Sequence, residues 1–184
     1  TRVTQSRDLT NGRAAQKAED IQLLVLDVDG VLTDGSVFYG ASDQAEIKSF
    51  NIKDGLGIKL LQKSGIEVAI ITGRTSAAVE RRAAELNIAT VVQGREDKGV
   101  ALQALLDERA LPAFRVAYMG DDLPDLSALK LAGLATCPSD AAAPVQAMVD
   151  WIAPAAGGRG AVRALSDFLL TSQGLLTARL SEFH

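Results

Sequence analysis

The chain is poor in the residues that most often carry metal and covalent chemistry. Among its 184 residues there is one cysteine, Cys137, and one histidine, His184. A single cysteine excludes an internal disulfide and fits a reducing compartment. A single histidine, at position 184, argues against a histidine base and against a histidine-built zinc centre. Aromatic residues make up only 4%, so Ala, Val, Leu and Ile must supply the core. No apolar run approaches the roughly 20 residues of a membrane-spanning helix, and no membrane partner is expected. Lys and Arg number 19 against 23 Asp and Glu, a net charge of −4. With no basic face, no nucleic-acid partner is expected. Residues 1–20 are polar and lack the apolar segment of a signal peptide. They read as an N-terminal tail before a single domain over 21–184.

What is present is a regular alternation of strand-like and helix-like runs. "QLLVLDV" (22–28), "EVAIIT" (67–72), "ATVV" (89–92) and "FRVAYM" (114–119) are short apolar runs, as strands covered on both faces should be. Shorter strands are predicted at 134–136 and 150–152. Helices are predicted over 54–65, 75–87, 97–110, 123–133 and 161–174, from apolar stripes at helical spacing, Gly65 as a stop and Pro124 in a first turn. This alternation predicts an α/β fold with a Rossmann-like, doubly wound parallel sheet. One piece breaks it. "GSVFYGASDQAEIKSF" (35–50) reads as two short strands around a "GASD" turn. Such an inserted hairpin is a lid, an assembly surface or a surface decoration.

In a doubly wound sheet the site lies beyond the carboxyl ends of the strands. Those ends carry Asp27 and Asp29, then Thr72 with Gly73 and Arg74, then Asp121 and Asp122 with Asp125 one turn further. Lys98 opens the helix after the third strand. So many carboxylates in one volume repel each other, and a hard divalent cation such as Mg²⁺ cancels the repulsion through oxygen ligands. Lys98 adds a compact positive charge, and the Thr72 hydroxyl is a hydrogen-bond donor. A nucleophile, a metal, a cation and a hydroxyl together make a phosphoryl-transfer site.

"DVDGVLTDG", "ITGR", Lys98 and "GDDLPD" match, in order, the four motifs of the haloacid dehalogenase-like phosphatases. With "KSFNIKDGLGI", "VVQGREDK" and "GGRGAVR", the stretch from about 22 to 174 resembles their capless branch, the 3-deoxy-D-manno-octulosonate 8-phosphate phosphatases. The resemblance implies that Asp27 is the nucleophile and forms an aspartyl-phosphate. It implies that Asp29 is the general acid/base. Mg²⁺ would be held by Asp27, the backbone carbonyl of Asp29, and Asp121, with Asp122 supporting it. Thr72 and Lys98 would hold the phosphoryl group. Substrate would be contacted by the loop Asn51, Ile52, Lys53, Asp54 and Gly55, and by Arg74 and Arg82, with Lys59 where some relatives carry arginine. No cap domain is expected, because too few residues separate "TGR" from Lys98. Capless relatives are tetramers, so a homotetramer with hairpins at its centre is implied. So is a cytoplasmic role in lipopolysaccharide biosynthesis. Two rival readings remain open: a phosphatase for a nine-carbon sugar-acid phosphate, and a signalling receiver whose acylphosphate persists.

Other residues have plainer readings. Asp34 caps its own loop, and Asp54 caps the helix it begins. Asp125 either binds metal or accepts N–H groups of the first helical turn. Cys137 and Trp151 are packing residues. The "GGRGAVR" segment is either a turn before the last helix or a flexible cationic strip with Arg159 and Arg163. The resemblance implies that such a strip closes over a neighbouring subunit's site.

Overall fold

The computed structural model describes residues 12–41 and 46–183. The expected tail up to residue 11, most of the hairpin turn and His184 lie outside the described residues. In chain order the elements are helix α1 (12–18), strand β1 (Leu23–Leu26), the hairpin strands β2 (Phe38–Tyr39) and β3 (Glu46–Ile47), helix α2 (Ile52–Lys63), β4 (Glu67–Ile71) and α3 (Ala77–Glu85). They continue with β5 (Thr90–Val92), α4 (Lys98–Arg109), β6 (Val116–Met119), α5 (Leu126–Leu131), β7 (Leu134–Cys137), α6 (Ala143–Gln146), β8 (Trp151–Ile152), α7 (Ala161–Ser172) and α8 (Leu176–Leu180).

Six strands form one parallel sheet in the order β5-β4-β1-β6-β7-β8. The chain winds outward from β1 to β5, then returns to β6 on the other side of β1. That reversal opens a crevice above the carboxyl ends of β1 and β6, where this class of sheet binds its ligand. The two-residue period of a strand sends alternate side chains to opposite faces. Leu24, Leu26, Val68, Ile70, Ala117 and Met119 pack on one face with α1, α2, α3 and α7. Leu23, Val25, Ala69, Ile71, Val116 and Tyr118 pack on the other with α4, α5 and α6. Each large apolar side chain so buried contributes about 1.5–3 kcal/mol. The hairpin β2-β3 stands apart as a two-stranded antiparallel ribbon. The fold is thus the expected doubly wound α/β sheet with an inserted hairpin and no cap domain among the described residues.

Three boundaries differ from the sequence reading. Within the expected tail, residues 12–18 are helical, and Ala14 and Ala18 are buried in the core. Alanines at a four-residue spacing bury one helix face without a visible apolar stripe. Helix α2 begins at Ile52, and its cap is Asn51, whose side chain accepts from the N–H groups of Lys53 and Asp54. The predicted helix 123–133 is a 3₁₀ turn, Leu123–Asp125, followed by α5. The short helices α6 and α8 were not predicted, being too brief for a periodic signal. Trp151 stacks on Phe168 with centroids 4.7 Å apart. Cys137 is buried, and burial pushes its thiol up to about 12, so it is an inert packing residue.

Candidate active site

The crevice is a cleft of about 710 Å³ lined by Asp27, Asp29, Thr72, Arg74, Lys98 and Asp121, among others. Every residue expected to do chemistry is therefore in one place. Asp27 is set by its own backbone, whose N–H donates to Met119 O at 3.1 Å as the sheet ends. Thr72 is anchored the same way, its N–H on Val92 O at 2.9 Å. The loop then turns sharply at Gly30, with φ of +87°. A Cβ there would lie 1.9 Å from Asp121 Oδ2, so only glycine lets the Asp27 and Asp121 loops approach this closely.

Lys98 is the buried cation of the site, 3% exposed at the start of α4. Its Nζ lies 2.9 Å from Asp27 Oδ2 and 2.7 Å from Asp125 Oδ1. Burial opposes the ammonium charge, but the two carboxylates outweigh it and hold Lys98 above the usual lysine range. One ammonium does not satisfy both carboxylates in full. Burial first, and repulsion from Asp125 second, push the Asp27 carboxyl up to about 7 despite Lys98. Burial and then repulsion from Asp27 push Asp121 up to about 7 as well.

Carboxylate oxygens of Asp27, Asp121 and Asp125 lie within 4.8 Å of one another. Asp125 is already fully engaged. Its Oδ1 accepts from Lys98 and from the Tyr118 hydroxyl at 2.9 Å, and its Oδ2 accepts from the N–H groups of Asp121 at 3.0 Å and Asp122 at 3.3 Å. The donor set left for a cation is Asp27 and Asp121, both short of positive charge. That is the set a hard divalent ion fits. Of the two readings of Asp125, hydrogen-bond acceptor is the one the geometry gives. It also anchors Lys98, which the spacing of the motif did not reveal. Asp122 is exposed and accepts from the Leu123 N–H at 2.8 Å.

Two further groups escaped the sequence reading. Lys48 reaches from the hairpin to Asp29, and Glu46 lies beside it. Their only signal was an ordinary Glu-x-Lys pattern in a segment that read as surface.

The expected substrate loop is placed differently. Among the described residues, Asn51, Ile52, Lys53, Asp54, Gly55, Lys59 and Arg82 do not line the cleft of their own copy. Asp54 is 1% exposed, and its Oδ1 accepts from the Arg163 N–H at 2.8 Å. It caps α7, not α2. Arg82 donates to the Asn51 carbonyl at 3.2 Å. Ile52, Lys53 and Lys59 face solvent.

The glycine-rich segment is a packed turn, not a free strip. Gly158 N–H donates to Val31 O at 2.9 Å, and Arg159 pairs with Asp34 at 3.1 Å. Arg163 pairs with Asp167 at 2.9 Å. Asp34 also accepts from the Ser36 N–H at 3.0 Å, the loop-capping role read from the sequence.

A doubly wound sheet ending in a paired aspartate and lysine, with a second acidic loop opposite, defines an aspartate-based hydrolase of the haloacid dehalogenase-like class. The profile of the haloacid dehalogenase-like hydrolases matches residues 90–165. The chain is 46% identical over 160 residues to the 3-deoxy-D-manno-octulosonate 8-phosphate phosphatase KdsC of Salmonella typhi, covering 87% of this chain and 85% of the relative. It superposes with a TM-score of 0.91 on the Moraxella catarrhalis phosphatase of the same name, solved with magnesium, phosphate and a KDO molecule, at 41% identity over 94% of this chain and 98% of that one. The cobalt-bound Haemophilus influenzae enzyme gives a TM-score of 0.85 at 41% identity over 89% of this chain and 95% of that one. The chain belongs to the 3-deoxy-D-manno-octulosonate 8-phosphate phosphatase family.

The contact between the glycine-rich segment and the catalytic loop is testable. A Cβ on Gly157 would sit 1.8 Å from Gly30 O. Gly157→Ala must push the segment off the loop that follows Asp27. It is expected to lower stability by about 1–3 kcal/mol, read by thermal or denaturant unfolding. An unchanged melting curve would show that the contact carries no weight.

Proposed function

We propose that the protein hydrolyses 3-deoxy-D-manno-octulosonate 8-phosphate to the free sugar acid and phosphate, as a Mg²⁺-dependent phosphomonoesterase. The observation that carries this is the cleft itself: a buried aspartate at the end of β1, held by one shared lysine and facing a second uncompensated aspartate. The metal would be held by Asp27, Asp121 and the backbone carbonyl of Asp29, and it supplies positive charge for the carboxylates and the phosphoryl oxygens. Asp27 attacks phosphorus; its Oδ–P bond forms as the bond to the sugar oxygen breaks. Asp29 gives that oxygen its proton. It then takes a proton from water as the water attacks phosphorus and the Asp27–phosphorus bond breaks. Lys98 and Thr72 hold the phosphoryl oxygens, and Arg74, half-exposed at the cleft edge, faces the sugar acid.

Support for an oligomer comes from the hairpin. Phe38 and Ile47 pair across it and are 54% and 57% exposed in the single copy, with Tyr39 at 80%. An apolar ribbon this exposed fits burial against further copies of the chain, here a homotetramer. No described helix is long and apolar enough to cross a membrane, and the proposed compartment is the cytoplasm, within lipopolysaccharide biosynthesis.

The test is phosphate release from eight- and nine-carbon sugar-acid phosphates, run beside sedimentation. The expected result is higher kcat/KM on the eight-carbon ester by a tetramer. Equal or higher efficiency on the nine-carbon ester would overturn the substrate. A long-lived acylphosphate without turnover would favour a receiver, and a fully active monomer would overturn the assembly.

A further inference from the structure

Beside Lys98, Lys48 is the other buried cation among the described residues, and it lies outside the motifs of the site. It follows β3 directly, so the hairpin carries it. Its side chain is 0% exposed, while that of Asp29 is 22% exposed. Its Nζ lies 2.5 Å from Asp29 Oδ1 and 2.5 Å from Glu46 Oε1; the first is a hydrogen bond, the second an ion pair without hydrogen-bond alignment. Arg74 closes the group from outside, donating to Glu46 Oε2 at 3.1 Å with Nε 3.9 Å from Asp29 Oδ2. Two cations thus face two carboxyl groups.

An ammonium is expensive to bury unless its partners are fixed. These partners are fixed, and one of them is Asp29. We propose that Lys48 is a positioning residue for Asp29: the hairpin, through Lys48, holds the carboxyl that moves the proton. This rests on the assignment of Asp29 as acid/base given above. Lys48 cannot touch substrate in this arrangement, because its side chain has no exposed surface. It occupies Oδ1 of Asp29 and leaves Oδ2 without a hydrogen bond among the described residues, so Oδ2 is the oxygen that carries the proton to the leaving group. Glu46 takes part of the ammonium charge and fixes where it sits. Arg74 holds Glu46 in turn. The hairpin thus has a second task beside assembly, which explains why it is inserted directly after the catalytic loop.

Proton donation matters in proportion to the basicity of the leaving group. A sugar-acid phosphate releases a strongly basic alkoxide oxygen and needs the proton. p-Nitrophenyl phosphate releases a stable phenolate and scarcely needs it. Lys48→Met is expected to lower kcat on the sugar-acid phosphate by about 10- to 100-fold, a part of the full acid/base contribution. KM should stay within about 3-fold, and kcat on p-nitrophenyl phosphate within about 3-fold, since binding and nucleophile are untouched. Lys48→Arg should recover part of the loss. Glu46→Gln, which leaves the lysine in place, should show the same selectivity more weakly and serves if Lys48→Met does not fold. Equal losses on both esters, or a change in KM alone, would overturn the proposal. Asp29→Asn separates the two levels. If it shows the leaving-group selectivity and the Lys48 and Glu46 variants do not, only the positioning role fails. If Asp29→Asn lacks it, the acid/base assignment itself fails.

Discussion

Asp27→Asn is expected to abolish turnover while leaving the fold intact and, without added metal, more stable than the parent at pH 8. The loss of activity follows from the chemistry. An amide cannot form the aspartyl-phosphate, and removal of a nucleophile costs on the order of 10⁴- to 10⁶-fold in rate. The gain in stability follows from burial. The Asp27 carboxyl stands at about 7 in the fold against an ordinary 3.8. Because the folded-state value is raised, the stabilising contribution of this group is fully present below about 3.8 and is lost as pH rises through about 7. Asparagine has nearly the same shape and no charge to desolvate. Lys98 keeps Asp125 as its partner at 2.7 Å. The variant should therefore lack roughly half of the parent's downward slope between those pH values, a difference on the order of a few kcal/mol. Asp121 keeps a share of the slope, since its own burial is unchanged, but loses the repulsion from Asp27. Thermal melts across pH in chelator, with phosphate-release assays in Mg²⁺, check both halves. A variant that retains turnover would reject Asp27 as the nucleophile.

The parts of this molecule that were legible in the sequence are those with a periodic or concentrated signal. The apolar runs at 22–28 and 67–72 have the length and β-branched content of covered strands, and their ends placed Asp27 and Thr72 correctly. Charge at the end of an apolar strand is costly, so it stands out. What stayed hidden has no such contrast. Asn51 and Asp54 are both good caps three residues apart, and only the fold shows that Asn51 caps α2 while Asp54 caps α7. Glu46 sits on a strand two residues long and Lys48 directly after it, too short an element for any pattern to mark a charge as buried. The arginines of the glycine-rich segment read as available cations. The i,i+4 partner of Arg163, Asp167, was within reach of the predicted helix 161–174, but Asp34, 125 residues away, could be assigned to Arg159 only once β1's loop was in place. Asp125 was ambiguous because four acceptor contacts and metal ligation call for the same side chain.

That ambiguity gives the second large prediction. Asp125→Ala is expected to destabilise the protein by about 3–5 kcal/mol, the usual cost of removing one partner of a buried ion pair. Asp125 is 1% exposed. Its loss strands the Tyr118 hydroxyl inside the sheet, opens the turn at Asp121 and Asp122, and leaves Lys98 with Asp27 alone. The last effect reaches the chemistry. An ammonium shared between two carboxylates leaves the nucleophile partly uncompensated, whereas an ammonium drawn wholly to Asp27 ties it down. A shift of about 1 Å in Lys98 or Asp121 is enough to cost about 100-fold in kcat. Asp125→Asn offers an acceptor to one side only, either Tyr118 and Lys98 or the two backbone N–H groups, and should fall between. Tyr118→Phe removes one donor and should cost about 1 kcal/mol. Unfolding curves and kinetics across a Mg²⁺ titration separate this role from metal ligation. A lost ligand is compensated by raising Mg²⁺, while a displaced lysine and an opened turn are not. Recovery of both activity and melting temperature of Asp125→Ala at high Mg²⁺ would therefore place Asp125 in the metal shell after all.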